Sequence, residues 1–308
     1  MRSIAALIIT SVVFSAHAQT DTTKQPSAVS DIPGMIGDTS SMLDGLDMEE
    51  GPDFEQNVFK GNRVINSHSV EMIGKKNLDY RICHRFGYIN TGPYEMFGLD
   101  QAYQRMSFSY GITDLINVEI ARSSVNKMYD GSLKVKFMRQ AKGDKKRPLS
   151  IVYVANMAVQ SLKPNGSQTP YYFSNRLYYT HQLLIAKKFN EHFSLQIMPT
   201  LLHRNLIDSM KYKNDVFCIG IGGRNKITRK TALTYEYFYV LPGQINPIYH
   251  NSLSIGFDIE TGGHVFQLHF TNSTGMNEKG FLAETDGSWA KGDIHFGFNI
   301  SRIFYIGR

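Results

Sequence analysis

The sequence contains one pair of residues that could act together in catalysis, His250 and Ser252. Residues two apart in a β-strand share a face, so the imidazole could take the hydroxyl proton and activate the serine as a nucleophile. Such a pair needs a third group that orients the histidine, and the sequence identifies none. The pair is therefore at most a candidate hydrolase, and its simpler interpretation is the polar start of a strand.

A second group of residues has the side chains that bind metal ions. His269 and His295 are accompanied by Asp258 and Glu260 in the same C-terminal part of the chain. Imidazole and carboxylate groups bind divalent cations, but these four positions lack the spacing of a metal motif. Salt bridges explain the same residues, so we expect no metal and no cofactor.

Both groups lie in a series of short stretches in which apolar and polar residues alternate. Leu233, Tyr235 and Tyr237, for example, are interleaved with Thr234 and Glu236. Because successive side chains of a strand point to opposite faces, this pattern predicts strands with one apolar and one polar face. We predict strands at 76–87, 102–111, 115–124, 132–140, 149–160, 172–188, 192–202, 215–224, 231–241, 251–260, 263–272 and 292–304.

The connections between the predicted strands alternate between short and long. The long ones are 88–101, 125–131, 161–171, 203–214, 242–250 and 273–291. Outer-membrane barrels sort their connections in this way, with tight turns in the periplasm and long loops outside the cell. The sequence therefore predicts an all-β fold: a single transmembrane, antiparallel, up-and-down barrel of about twelve strands, with short periplasmic turns and long extracellular loops.

The two faces of the predicted strands differ in character. Leu253, Ile255 and Phe257 illustrate the apolar face, which would contact lipid. The residues predicted to line the lumen are Arg81, Arg85, Arg105, Glu119, Lys134, Lys136, Arg176, Glu236, Asp258, Glu260, His269 and His295. Buried without partners, each charge would cost several kcal/mol, so we expect a wet or salt-bridged lumen. A soluble sandwich that turns its charges outwards to water is the alternative.

The N-terminus has the pattern of a secretory signal peptide. Arg2 precedes a short apolar run, and Ala16 and Ala18 form a small-x-small cleavage site. The run is too short to cross a bilayer as a helix. We therefore predict that residues 1–18 are a signal peptide and that the chain is exported.

The segments that follow differ in charge and polarity. Residues 19–56 hold nine acidic residues against one lysine and show no strand pattern, which predicts an acidic, disordered periplasmic tail. Residues 57–75 form a lead-in segment in the lumen or the periplasm. Its stretch from Phe59 to Glu71 is too polar for a lipid-facing strand, which favours the lumen. Residues 76–308 are predicted to form the barrel.

The predicted short-turn end is basic. Its cations are expected to contact lipid phosphates, at about 1 kcal/mol for each cation near the surface. The alternative is that the acidic tail, which emerges on the same side, docks to this rim. The predicted rim residues are Lys145, Lys146, Arg147, Lys187, Lys188, Arg229 and Lys230. The expected partners are outer-membrane lipids and a periplasmic protein bound through the acidic tail, but no nucleic acid.

Two residue types give further tests of the barrel. Cys83 and Cys218 fall on the first and eighth predicted strands, too far apart around a barrel for a disulfide, so we predict two free thiols. Pro199 lies inside the seventh predicted strand and removes one ladder hydrogen bond, which predicts a bulge or a break there.

Several runs in the sequence are specific enough to indicate a family. They are Phe59–Asn66, His68–Glu71, His84–Gly87, Phe97–Asp100, Tyr129–Gly131, His250–Gly256 and Asp258–Asn272. In these runs the chain, from Phe59 to its C-terminus, resembles a family of membrane-bound β-barrel domains found mainly in Bacteroidetes. The resemblance implies an outer-membrane barrel and supplies no catalytic or binding residue.

These observations predict a protein of the cell outer membrane that is not an enzyme. Charged side chains leave little free space in a barrel of this size, which favours a narrow channel, or a structural or partner-anchoring barrel, over a general porin. An outer-membrane lipid hydrolase built on His250 and Ser252 is one alternative, although both residues would face the lumen rather than lipid. A soluble periplasmic β-sandwich that binds a ligand is the other.

Overall fold

Twelve antiparallel strands form a closed barrel in the computed structural model, which describes residues 52–143, 146–162, 172–207 and 211–307. Each strand pairs with the next along the chain, and the last pairs with the first. The strands are β1 (Asn77–Tyr88), β2 (Ala102–Gly111), β3 (Ile116–Ser123), β4 (Met128–Met138), β5 (Ser150–Gln160), β6 (Leu177–Lys188), β7 (Phe193–Arg204), β8 (Asp215–Lys226), β9 (Thr231–Val240), β10 (Leu253–Thr261), β11 (His264–Thr271) and β12 (His295–Tyr305).

The closed ladder confirms the predicted all-β, up-and-down barrel. It also shows that the alternative of a soluble sandwich is wrong, because the strands form one continuous cylinder rather than two stacked sheets. The predicted signal peptide and most of the predicted acidic tail lie outside the described residues.

Most predicted strand boundaries are within a few residues of the observed ones, and two differ for local reasons. Strand β4 begins at Met128, before the predicted residue 132. The sequence analysis placed the polar Asp130 in a loop, but it is part of the strand and points into the lumen. Strand β6 begins only at Leu177, since a 3-10 helix occupies Phe173–Arg176.

Pro199 produces the break in pairing that was one of the two predicted outcomes, and no bulge. The ladder between β6 and β7 pairs Gln182 with Thr200 and Ile185 with Ile197, and it lacks the pairs between them. Both pairs belong to the same register, so the chain does not slip. The missing amide of proline therefore weakens the ladder locally and leaves the strand otherwise regular.

The shortest turn illustrates how the sequence specifies this topology. Thr261 pairs with His264 across a two-residue hairpin that joins β10 to β11. Its central residues, Gly262 and Gly263, have φ angles of 50° and 89°. A turn with two left-handed residues matches the natural twist of the strands, and glycine adopts this conformation at little cost.

The outward face of the barrel is apolar. Residues such as Phe137, Ile219 and Phe257 are exposed at the surface, as the alternation predicts. Two of the histidines on this face, His84 and His181, have aromatic neighbours. His84 stacks on Phe298, with ring centroids 5.0 Å apart. On β6, the Nδ1 atom of His181 lies 2.6 Å from the hydroxyl oxygen of Tyr153, so each polar group has a partner.

A closed ladder of twelve strands should survive detergent at room temperature. We expect the unheated protein to migrate faster than the boiled protein on a denaturing gel, because a folded barrel is compact and binds less dodecyl sulfate. A membrane fraction analysed with and without boiling tests this. Identical migration of the two samples would contradict the barrel.

Within the described residues, two segments that are not barrel strands lie in the lumen. The first is the lumen segment, residues 57–75, which precedes β1. The second is the outer loop, residues 272–294, which connects β11 to β12 and includes helix α1 (Glu278–Ala283). Every residue of α1 is buried, and the helix packs against β6, β7 and β9. The sequence placed this loop outside the barrel, so its inward position is a correction.

Helices contribute little to the described structure. None of the helices in the described ranges is both long and apolar enough to span a bilayer. Helix α1 begins at the N-cap Asn277, whose side-chain oxygen accepts a hydrogen bond from the amide of Gly280 at 2.8 Å. The cap explains why a six-residue helix begins at this point.

Candidate functional site

The lumen segment forms a tight hairpin inside the barrel. The amide of Val64 donates to the carbonyl oxygen of Ser67 at 2.8 Å, and the amide of Ser69 donates to that of Asn62 at 3.0 Å. All residues from Asn62 to Val70 are buried. The hairpin therefore satisfies part of its own backbone, and the barrel wall supplies the other partners.

Glu236 on β9 binds the tip of this hairpin. Its carboxylate accepts hydrogen bonds from the amides of Ile65, Asn66 and Ser67, at 3.3, 2.9 and 3.1 Å, and from the hydroxyl of Ser67 at 2.8 Å. Hydrogen bonds to an ionised acceptor are among the strongest in proteins. One side chain thus fixes the tip of the lumen segment against the barrel wall.

Lys134 on β4 binds both arms of the hairpin. Its Nζ atom donates to the side-chain oxygen of Asn62 at 2.6 Å and to the carbonyl oxygen of Glu71 at 2.5 Å. Gln196 on β7 bonds to the backbone of the hairpin. Its side chain accepts from the amide of Val70 at 2.9 Å and donates to the carbonyl oxygen of His68 at 2.7 Å. The segment is therefore anchored from at least three directions.

A layer of buried ion pairs connects the lumen segment to the wall and to α1. The guanidinium of Arg63 lies 2.6 Å from the Glu119 carboxylate on β3 and 3.1 Å from that of Glu278 in α1. Arg105 on β2 also contacts Glu119, at 2.9 Å, and Asp130 on β4, at 2.5 Å. All five side chains are almost completely buried. Arg105 and Glu119, two of the charges that the sequence predicted for the lumen, thus have oppositely charged partners.

Arg85 joins both inserted segments to β1. It donates to the side-chain oxygen of Asn66 in the lumen segment. It also donates to the carbonyl oxygens of Ser273 and Gly275 in the outer loop, the latter at 2.8 Å. The side chain is fully buried. Movement of either insert would therefore break a bond that also positions the other.

One sector of the lumen is apolar, which the sequence analysis did not predict. Val64 and Val70 of the lumen segment belong to a buried cluster with Phe281 of α1 and with inward side chains of β5 to β9. Gly222 on β8 makes room for this contact, because a Cβ atom there would lie 3.3 Å from a methyl of Val64. The hairpin thus has an apolar side and a polar side.

Two cavities flank the filled part of the lumen. The cavity at the short-turn end measures about 430 Å³, and the one at the long-loop end about 210 Å³. Between them, beside Arg81 and Gln267, a space of only about 10 Å³ remains. That is about the smallest space that holds one water molecule. The inserted segments and the inward side chains therefore leave little space between these two cavities.

The structure brings most of the predicted lumen residues together. Buried, inward-facing members of the set are Arg81, Arg85, Arg105, Glu119, Lys134, Glu236, Asp258, His269 and His295. Lys136 is half-buried. Glu260 lies at the short-turn mouth, 2.5 Å from Lys60. Arg176 is misplaced by the sequence analysis, because it belongs to the 3-10 helix before β6 and not to a strand.

The candidate catalytic pair and the candidate metal residues do not assemble into sites. His250 and Ser252 precede β10, and the buried Ser252 hydroxyl has no hydrogen-bonding partner, so the histidine does not activate it. In the described part of the chain, no group of three or more His, Cys, Asp or Glu side chains could hold a metal ion. Cys83 on β1 and Cys218 on β8 are buried free thiols.

The sequence analysis missed Asp130 and Glu278 as lumen residues. Both were assigned to loops because they lie next to glycine or outside an alternating stretch. Glu278 follows the capping residue Asn277 and precedes the apolar Phe281 and Leu282, which is the pattern of a short amphipathic helix start. This pattern was the available signal for the inward helix.

The end of the predicted acidic tail binds the basic short-turn end. Asp53–Phe54 pairs antiparallel with Ala141–Lys142, so the expectation of a tail without strand structure is wrong at its end. The carboxylate of Glu55 lies 2.7 Å from the ammonium group of Lys142 and 3.2 Å from that of Lys188. We call the contact between residues 53–56 and this rim the clasp. Of the other predicted rim residues, Lys145 lies outside the described residues.

Lowering the pH is expected to loosen the clasp. Burial opposes ionisation of Glu55, but Lys142 and Lys188 outweigh burial and lower the pKa of the Glu55 carboxyl. A carboxyl with a lowered pKa stabilises the folded contact above its unfolded pKa of about 4.3, and that contribution is lost as the pH falls through the folded value. A nitroxide attached to Asp53→Cys, with both native cysteines replaced by serine, should therefore become mobile at acidic pH. A spectrum that stays equally immobile throughout an acid titration, while the barrel remains folded, would contradict this.

The comparison with protein-family models agrees with the observed barrel. A family model described as a membrane-bound beta barrel domain matches residues 59–304. An outer membrane channel from Pseudomonas putida F1 is 10% identical, with 76% of this chain and 98% of that chain covered and a TM-score of 0.47. The NanC porin is 8% identical, with coverages of 74% and 98% and a TM-score of 0.46. None of the curated proteins matches the chain. The structural likenesses are too distant to assign a solute or a function.

Proposed function

We propose that this chain, which belongs to the family of membrane-bound β-barrel domains, is a narrow channel that the lumen segment holds closed. The chain lies in the outer membrane, where a closed antiparallel barrel can span lipid because no strand edge is left unpaired. The channel would pass small ions and small polar solutes once the lumen segment moves away from the wall.

The polar attachment of the lumen segment carries this proposal. Glu236, Lys134 and Gln196 bind the hairpin through hydrogen bonds, and water can replace such bonds when the segment moves. A lumen filled only by apolar side chains would have no comparable route to a hydrated state. Among the described residues, the hairpin, α1 and the ion-pair layer lie between the cavities at the two mouths.

Planar-bilayer recordings can test the channel function. We expect the wild-type protein to show rare openings, and Glu236→Ala or Lys134→Met to conduct much more often, because each variant removes an anchor of the lumen segment. The anchors lie on different strands, so a shared effect reports on the segment itself. Thr234→Ala is the matched control. It lies on the same strand and face as Glu236, and its hydroxyl bonds to Gly256 and Asp258 rather than to the hairpin.

The same preparation separates the alternatives. Absence of conductance from both anchor variants, with folding verified by heat-modifiable migration, would overturn the channel proposal and favour a structural barrel. Release of fatty acid from the liposomes that stops in Ser252→Ala would instead support a lipid hydrolase. We expect no such release, because His250 does not contact the Ser252 hydroxyl.

A further inference from the structure

We propose that residues 139–142, together with Arg147 and Lys188, form a binding site for an extended acidic segment of a periplasmic protein, with an aromatic residue between its acidic residues. In the closed structure the chain's own Asp53–Gln56 occupies this site. The proposal concerns the rim of the barrel, so it holds whether or not the lumen conducts.

The first support is the mode of contact, which is strand addition. Asp53 and Phe54 pair in antiparallel register with Lys142 and Ala141, and the amide of Glu55 donates to the carbonyl oxygen of Gln140 at 2.9 Å. Added strands bind through main-chain hydrogen bonds, which do not depend on the identity of the bound side chains. The backbone of residues 140–142 can therefore accept a strand from another chain in the same way.

The second support is the pair of side-chain contacts that would select the bound segment. The Phe54 ring lies 5.0 Å from the guanidinium of Arg139 and 5.7 Å from that of Arg147, a double cation–π contact. The Glu55 carboxylate lies between Lys142 and Lys188. An aromatic residue followed by a carboxylate is the chemistry that this site recognises.

The third support is that the barrel's own contacts hold the site in shape. The side chain of Gln140 accepts from the amide of Lys188 at 2.8 Å and donates to its carbonyl oxygen at 2.9 Å. Ala141 exchanges two backbone hydrogen bonds with Arg147. Neither contact involves residues 53–56. A site that keeps its shape without its occupant loses less entropy on binding.

The bound segment is small and is joined to the hairpin by a strained residue. Asp53 and Gln56 are exposed, and Asn57 has a left-handed φ of 54°. A non-glycine residue is uncommon in this conformation, which stores strain at the boundary between the clasp and the lumen segment. A competing segment would therefore displace Asp53–Gln56 without first unfolding the hairpin.

Binding of a peptide in trans tests the proposal. The probe is a fluorescein-labelled peptide with the sequence of residues 50–57, titrated into the full-length barrel in detergent and followed by anisotropy. The native segment competes at a high effective concentration, so wild-type protein should bind the probe weakly. The variant Phe54→Ala/Glu55→Ala, which keeps the rim intact, should bind it about tenfold more tightly.

Two matched controls make the result decisive. A probe with alanine in place of its phenylalanine should lose about tenfold in affinity. A protein that carries Arg147→Ala in addition to the two clasp substitutions should also lose affinity for the original probe. Equal binding of both probes, or binding that survives Arg147→Ala, would overturn the site. Dimers of the wild-type chain that form by exchange of residues 53–56 would overturn the assignment to a different protein.

Discussion

Replacing Glu236 by alanine should raise the rate at which a water-soluble maleimide labels the native Cys83 thiol by about 100-fold. Cys83 and Cys218 point inwards and are buried in the closed barrel. The Glu236 carboxylate accepts four hydrogen bonds from the hairpin tip. Hydrogen bonds to a charged group contribute about 1.5–3 kcal/mol each, so a net loss of about 2.8 kcal/mol is a moderate expectation. That loss corresponds to a 100-fold larger open population.

Mass spectrometry of the folded protein in detergent measures the labelling rate. Single replacements of Cys83 and Cys218 by serine assign the signal to each thiol, and Thr234→Ala should label as slowly as the wild type. Equal rates for Glu236→Ala and the wild type would show that the lumen segment does not depend on this carboxylate. The readout is independent of conductance, so it tests the anchor separately from the function.

Replacing Arg63 by methionine should lower the free energy of unfolding by about 3–5 kcal/mol. The substitution keeps an unbranched side chain but leaves Glu278 with only His68, at 3.4 Å, as a possible partner. It also removes one of the two arginines from Glu119. Breaking a buried ion pair costs more than the pair itself contributes, because an unpaired charge remains in a poorly hydrated environment.

The single tryptophan reports this unfolding. Trp289 lies in the outer loop and donates its indole N–H to the carbonyl oxygen of Leu253 at 3.0 Å, so its fluorescence should change when the loop leaves the barrel. Urea titrations in lipid vesicles give the free energy of unfolding.

Arg122→Met is the control, because Arg122 is exposed and stacks on Tyr129, and its effect should stay within about 0.5 kcal/mol. Arg63→Met/Glu278→Gln should recover part of the loss. A loss equal to that of the control would contradict the role of the ion-pair layer.

The barrel could be predicted from the sequence because its strands obey a local rule. Alternation such as that of Tyr235, Glu236 and Tyr237 arises wherever one face meets lipid and the other does not. The rule depends on neighbouring residues alone, so it fixes the strands and their facing without knowledge of their partners. The polarity of Phe59–Glu71 pointed to the lumen for the same reason.

The contents of the lumen could not be predicted in the same way. The bond between Arg63 and Glu278 joins residues far apart in the chain, and no local pattern specifies it. The alternation also did not predict the apolar sector. The inward face was inferred from charged residues on other strands, whereas inward side chains such as Val154 and Phe238 are apolar. The clasp was one of two interpretations of a basic rim, and charge alone did not decide between them.

The unequal sides of the hairpin determine the direction in which it can leave. Water can take over the hydrogen bonds of Glu236 and Arg85, but nothing in the lumen replaces the contacts of Val64 and Val70 with the apolar sector. The least costly displacement is therefore a swing that keeps the valines in place as a pivot. A pore opened in this way would have a crescent-shaped section along β10 to β12 and β1, with arginines on its outer arc. Its ion selectivity would then depend on that one arc and not on the whole circumference.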